Sequence, residues 1–399
     1  MSQRRPAARH SLYAYAWDLA GRDTRSTVDE ILDLGVDGLS LATSYHAGKF
    51  LRPRVSGPGK VYFPEDGTVY FNPQPSRYRA IQPKPHSSAA MRQVAYDLAS
   101  DGRLPLSAWT VLFHNTRLGE AHPELTVKNA WGDGYVYAPC PMQPALADYA
   151  VDLSNDLART LPWQSLTLES PGWTPFAHGY HHEFAQVRSN LWLDTMLGLC
   201  FCDACQSNAR QQGIDAAGLA SRIRTRVDGY LASPADAAAD QAGAWLTADL
   251  LEDQELAAFI RMRQNYVTQL VARIRSEIPA EVALYVIPTV QRPTAQTWLE
   301  GSDLKALAFA ADGIEVPFYE PDAGRVVADA VDTVRRVGDA SRVRGILRPG
   351  VPDLGDGAQT GAALDGLRGQ GIEHVGFYNY GMLRGGALAG LRGVLKARK

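Results

Sequence analysis

Eight short runs rich in β-branched and aromatic residues recur along the chain, and a helical pattern follows each of them. The runs are Leu12–Asp18, Gly38–Ser44, Leu106–His114, Ser165–Glu169, Val282–Ile287, Gly313–Phe318, Arg344–Arg348 and His374–Tyr380. The helical stretches are Ser26–Leu34, Ser87–Ser100, Pro144–Thr160, Glu252–Ile278, Thr294–Phe309, Arg325–Val337, Gly361–Arg368 and a closing Gly386–Ala397. Strands alternating with helices imply right-handed βαβ units around a parallel sheet. Eight such units ending in a helix are what a (β/α)8 TIM barrel requires. The alternative, a doubly wound open sheet, generally has fewer strands, and no glycine fingerprint follows the first run. A length of 399 residues exceeds one typical domain but suits a single catalytic barrel over 1–399 that carries insertions.

Two connections are too long to be simple crossovers. The segment 45–85, after strand two, shows no helical period, and its stretch Lys60–Phe71 has two apolar runs around Glu65-Asp66-Gly67, which reads as a β-hairpin. The segment from about 170 to 250, after strand four, holds the cysteines Cys200, Cys202 and Cys205 and a mostly helical, alanine-rich stretch over Leu219–Ala248. Both excursions leave the C-terminal ends of strands, the face on which barrel active sites sit.

Composition removes several function classes. Hydrophobic residues make up 45% and charged residues 21%, so whole-chain disorder and coiled coil are excluded. With 40 basic and 43 acidic residues the net charge is −3, which gives no footprint for nucleic acid. No apolar run approaches the roughly 20 residues of a membrane span. Arg4 and Arg5 have no apolar segment behind them, so no secretory signal is expected, and the expected compartment is the cytoplasm. Whether the chain forms a homo-oligomer is left open.

Side chains alternate along a strand, and the aliphatic set of a barrel strand faces the helices. On strand four Leu166 and Leu168 then face outward, and Thr167 and Glu169 inward. On strand six Glu315 and Tyr319 face inward. Strand two places Ser40, Ala42, Ser44 and His46 on one face, strand three groups Thr110 with His114, and strand eight groups Gly376, Tyr378 and Tyr380. Strand one ends at Asp18 and strand seven at Arg348. A carboxylate on an inward barrel face is costly to bury unless paired or functional. Glu169 and Glu315 are therefore the catalytic candidates, facing each other across the mouth, with Glu320 the fallback for the second acid. Asp18, His46, His114, Asn115, Tyr319, Arg348 and Tyr378 are the candidate substrate contacts from strand ends and adjoining loops. His181 and His182, in the loop after strand four, join them.

Two carboxylates across a polar, aromatic-lined mouth are the machinery of glycoside hydrolysis. One protonates the leaving oxygen, and the other attacks the anomeric carbon or activates water. The expected substrate is a small glycoside or oligosaccharide. An ordinary Glu titrates at about 4.3, so the acid needs its pKa raised by burial or by the second carboxylate. The alternatives are an isomerase, epimerase or lyase on a sugar or sugar phosphate, and a non-catalytic carbohydrate-binding barrel. No Lys lies in the eight strand runs, which disfavours a Schiff-base aldolase, and strand one lacks the His-x-His of an amidohydrolase.

Cys200, Cys202 and Cys205 place three thiols within six residues, and Cys140 is the only other cysteine. Thiolates at this spacing satisfy three corners of a tetrahedral zinc, with Cys140 or a histidine as the fourth, in a structural site; no organic cofactor is expected. Cysteines this few form no disulfide scaffold and suit a reducing compartment.

The combination of Phe113-His-Asn-Thr-Arg117, Leu168-Glu-Ser170, the His181-His-Glu183 loop and Gly198-Leu-Cys-Phe-Cys-Asp-Ala-Cys205 resembles a bacterial family of (β/α)8 glycoside-hydrolase-like proteins. The match covers about a third of the chain. The cysteine group also resembles the structural zinc cluster of some barrel β-galactosidases. Those enzymes close strand four with Asn-Glu and strand seven with Glu, whereas here strand four ends Leu-Glu-Ser and strand seven ends in Arg348.

Overall fold

The computed structural model describes residues 9–180 and 185–398. Eight parallel strands form the barrel: β1 (His10–Ala14), β2 (Gly38–Tyr45), β3 (Leu106–Val111), β4 (Ser165–Glu169), β5 (Ala283–Val286), β6 (Gly313–Pro317), β7 (Val343–Leu347) and β8 (Val375–Phe377). Each strand pairs with the next, and β1 pairs with both β2 and β8, which closes the ring into a (β/α)8 barrel. The barrel helices are α1 (Thr24–Asp33), α2 (Ala89–Asp101), α3 (Pro144–Thr160), α4 (Gln254–Glu277), α5 (Leu304–Ala310), α6 (Ala323–Val337), α7 (Gly357–Gly369) and α8 (Gly385–Lys396).

The helix starts are written in the sequence. Asp23, Asp253, Asp303, Asp322 and Asp356 each accept a backbone N–H from the first turn of α1, α4, α5, α6 and α7. Such a cap satisfies an otherwise orphaned donor and is worth about 1 kcal/mol. On α6 the residues Val326, Ala330, Thr333 and Val337 are buried at three- and four-residue spacing, so one face meets the sheet.

Element ends differ from the expectation wherever apolar residues continue past the last ladder bond. β1 stops at Ala14, because Ala16–Leu19 turns into a short helix whose Asp18 carboxylate accepts the Tyr15 N–H at 3.2 Å. β3 stops at Val111 and β8 at Phe377. The helix expected over Thr294–Phe309 is a 3-10 turn, Thr294–Glu300, followed by α5. Gly301 separates them at φ 79°, and an added Cβ there would stand 2.9 Å from the Trp173 ring.

The loop after β2 contains a two-stranded antiparallel pair, but its partners are not those expected. Val61–Tyr62 pairs with Phe50–Leu51, while Thr68–Val69 pairs with the end of β2. The run around Gly67 therefore extends the barrel edge instead of folding back on itself. After β3, Thr126–Lys128 and Gly134–Pro139 form a further hairpin. After β4 come four helices, Leu191–Gly198, Asp203–Gln211, Ala216–Ala232 and Ala239–Glu252. Among the described residues no helix is long and apolar enough to cross a membrane.

Candidate active site

The C-terminal mouth of the barrel is built around Glu169, the last residue of β4. Its Oε2 accepts a 2.6 Å hydrogen bond from the indole Nε1 of Trp109. Trp109 is in register with Thr167 and Ala42, so it points into the barrel. The sequence pattern of β3 groups Thr110 with His114 and does not mark Trp109 as inward. A bulge in β2 between Ala42 and Ser44 resets the alternation, and the Thr110 hydroxyl bonds Thr43 at 2.6 Å.

Aromatic rings enclose the carboxyl. Trp109 lies 5.2 to 5.9 Å from Tyr13, Tyr15, Tyr45 and Tyr378, measured between ring centroids. Tyr15 donates its hydroxyl to Tyr45 at 3.0 Å and also bonds the Tyr378 hydroxyl. Tyr319 lies 5.6 Å from Tyr378, with the Arg348 guanidinium 4.2 Å over its ring. Glu169, Tyr319, Tyr378 and Arg348 are the half-buried members of this group. Glu169 is thus half-buried within this group of rings. Burial drives its pKa up to about 7, and the Trp109 bond opposes the rise.

Glu300, at the end of the 3-10 turn after β5, is a mouth carboxyl that sequence reasoning missed, because Trp298-Leu299-Glu300 reads as helix interior. Its Oε1 accepts from the Thr289 hydroxyl at 2.6 Å and the Val290 N–H at 2.7 Å. Burial lifts it to about 7, and the charge of Glu169 adds to the rise. Asp353 was missed too. Strand seven lacks a terminal carboxylate, but the loop beyond it folds Asp353 back to 3.1 Å from Arg348, with Arg292 at 3.2 Å. Burial raises Asp353, and the two guanidiniums pull it down.

The structure separates several expected site residues from the mouth. Glu315 faces inward but sits deeper, accepting from the Thr167 hydroxyl at 2.9 Å. It borders a small cavity with Ser11, Ser107, Gln164 and His374, all at strand beginnings. The Tyr13 ring stands above it, its hydroxyl close to Glu315 without closing a hydrogen bond of good geometry, and it feels the charge of both Glu315 and Glu169. Alternation identifies the face of a strand residue but not its height, so the pair Glu169–Glu315 does not span the mouth. Burial raises Glu315, with Arg344 opposing. Glu320 is held by Arg325 at 2.8 Å. Asn115 caps Thr116–Ala121 through Leu118 N–H at 2.9 Å, and Asp18 caps its own short helix. His46 and His114 stack at 3.9 Å beside Tyr45, and burial with the neighbouring imidazoles drives His114 down to about 2, so it is neutral. His181 and His182 lie outside the described residues.

The four cysteines converge. Cys140, at the end of the second hairpin, has its Sγ 3.6, 3.7 and 3.8 Å from those of Cys205, Cys202 and Cys200, and all four are buried. Disulfide sulfurs stand about 2.05 Å apart, so these are thiols. Tetrahedral bonds of about 2.3 Å to one metal would set the sulfurs about 3.8 Å apart. The cluster has the form of a metal-holding site that ties the β3 excursion to the β4 excursion. Arg263 is buried nearby against Trp173, and burial works against its cation.

A cleft of about 1140 Å³ opens at the other end of the barrel, among Leu104, Ser165, Val282, Tyr285 and Arg344. It holds no convergent carboxyls, and barrel chemistry belongs to the C-terminal face, so the mouth is the better candidate.

Among solved structures, the chain is similar to the PgaB (BpsB) glycoside hydrolase domain from Bordetella bronchiseptica, with TM-score 0.58 and 12% identity over 97% of this chain and 98% of that one. It is similar to the catalytic domain of β-amylase from Paenibacillus polymyxa, with TM-score 0.54 and 10% identity over 98% of each chain. A third likeness is α-L-fucosidase isoenzyme 2 from Paenibacillus thiaminolyticus, with TM-score 0.54 and 11% identity over 98% of this chain and 49% of that one. No family model and no curated protein matches the sequence. At such identities the likeness establishes the fold, a (β/α)8 barrel.

Proposed function

We propose that the chain is one catalytic domain, a glycoside hydrolase-like enzyme that cleaves a small glycoside or oligosaccharide with Glu169 as general acid. The observation that carries this reading is Glu169 itself: a carboxyl at the end of β4, ringed by aromatic side chains and lifted to about 7. At neutral pH such a group holds a proton it can give to a leaving glycosidic oxygen. The faces of Tyr378 and Tyr319 are suited to a sugar ring, as apolar platforms with polar edges. Asp353, three strands round the barrel and paired with Arg348 and Arg292, is the proposed nucleophile or base in place of Glu315. Glycoside hydrolase names among the structural neighbours support the class, not the sugar. We assign one structural zinc to Cys140, Cys200, Cys202 and Cys205, whose sulfur spacing fits it. Four buried free thiols suit a reducing compartment such as the cytoplasm.

The test is turnover of a panel of aryl glycosides by wild type and by Glu169→Gln. The variant should lose at least about 100-fold on a poor leaving group, the scale of general acid catalysis. It should lose far less on dinitrophenyl glycosides, which leave without a proton. No turnover of any glycoside, or equal loss on both leaving groups, rejects the assignment.

A further inference from the structure

A second polar cavity lies outside the ring of tyrosines. It is bordered by Asp18, Arg22, Arg52, Arg54, Tyr380 and Gly381 and measures about 230 Å³. Three chain segments meet here: the turn after β1, the Phe50–Tyr62 insertion and the loop after β8. Arg22 donates to the Tyr380 hydroxyl and pairs with Glu30 at 2.6 Å. Arg54 stacks 4.3 Å over the Tyr380 ring, donates to the Tyr380 carbonyl at 2.7 Å and lies 3.3 Å from Glu30. Arg52 donates to the Trp17 carbonyl at 2.8 Å and the Gly59 carbonyl at 3.3 Å.

These contacts leave polar capacity unused. Nε of Arg52, Nε of Arg54 and Oδ1 of Asp18 are buried without a hydrogen-bond partner among the described residues. Arg52 Nε and Asp18 Oδ1 are 3.4 Å apart, an ion pair without hydrogen-bond geometry. Asp18 lies flat against the backbone of Gly381, where an added Cβ would fall 2.0 Å from its Oδ1. Three guanidiniums face two carboxylates, Asp18 and Glu30, so the site carries one positive charge in excess. Arg22, Arg54 and Glu30 are part-exposed, so water screens this excess on the open side, and one oxyanion of single charge would be drawn to it and balance it. The unpartnered Asp18 oxygen calls for a donor beside that anion, which a hydroxyl provides.

We propose that this cavity binds a hydroxyl-bearing carboxylate, a sugar acid of the uronate class, with its carboxylate on the arginines and a hydroxyl donating to Asp18. A neutral sugar lacks the balancing charge, and a phosphate dianion overshoots it. The site stands apart from Glu169, so it would hold whether or not the mouth hydrolyses glycosides.

Calorimetric titration of the full-length protein tests this without turnover, at fixed ionic strength, with glucuronate, glucose and glucose 6-phosphate. Glucuronate should bind saturably and glucose at least about tenfold more weakly, the loss of one charge-assisted contact. Arg22→Gln and Arg54→Gln, checked for folding by circular dichroism, should each weaken glucuronate by a similar factor. The proposal is overturned if wild type does not bind glucuronate, binds glucose as well, or prefers the sugar phosphate. It is equally overturned if both folded variants bind glucuronate like wild type. The three wild-type titrations decide even if neither variant folds.

Discussion

The Trp109 indole donates to Glu169 across the β3–β4 step of the barrel at 2.6 Å, and this bond is the main force that favours the anion of an otherwise buried acid. Removing it by Trp109→Phe should push the Glu169 pKa above about 7, because only the charged form gains from the donor. Hydrogen bonds to charged groups are worth about 1.5–3 kcal/mol, so the rise should be about 1–2 pH units. Carboxyl-carbon NMR titration of glutamate-labelled protein, assigned by Glu169→Gln, measures it. A pKa unchanged or lowered in the Phe variant contradicts the role given to Trp109.

The same acid makes stability fall as pH rises. Its pKa goes from 4.5 in an ordinary environment to about 7 in the folded chain. Between those values the folded state holds more protons than the unfolded one, so stability is lost through that window and the loss is complete above it. Glu169→Gln keeps an acceptor for Trp109 and removes the charge. The variant should match wild type below about pH 4.5 and be more stable by up to about 3 kcal/mol above pH 7. Denaturant unfolding at pH 4.5, 6 and 8 checks this, and a stability difference that does not grow with pH refutes it.

Much of the fold was legible because barrel strands and their helices are local patterns. The Asp caps, the apolar stripe of α6 and the aliphatic outward set of β4 all follow from short-range spacing. Glu169 was legible for the same reason, as an inward carboxyl at a strand end. What failed depended on height and on loops. Period two could not say that Glu315 lies beneath Tyr13, nor that the β2 bulge would turn Thr110 away and leave Trp109 facing in. Asp353 and Glu300 reach the mouth through irregular backbone, which leaves no periodic signal.

The cysteine cluster gives a stability prediction independent of the mouth. Purified protein, never exposed to chelator, should carry about one zinc per chain, the stoichiometry of one four-sulfur site. Cys205→Ser should reduce bound zinc and lower the melting temperature, because the cluster fastens the second hairpin to the helix Asp203–Gln211. Metal analysis by mass spectrometry and a melting curve suffice. A metal-free wild type whose stability is unaffected by strong chelators excludes the site.

The final prediction separates Glu300 from Glu315 as the electrostatic neighbour of the acid. A general acid works while protonated, so the alkaline limb of kcat/KM against pH follows the pKa of Glu169. The charge of Glu169 adds to the rise of Glu300, and a Coulombic interaction acts on both partners. Replacing Glu300 by Gln removes a negative charge that resists ionisation of Glu169. The acid then loses its proton more easily, and the alkaline limb should move to lower pH by up to about 1 unit. Glu315 lies below the Tyr13 ring, with Arg344 opposing its charge. Glu315→Gln should therefore leave the limb within about 0.3 unit of wild type. The two profiles, taken on one substrate with a leaving group poor enough to need the acid, distinguish these carboxyls. A limb that moves with Glu315→Gln and not with Glu300→Gln would restore Glu315 as the partner across the mouth.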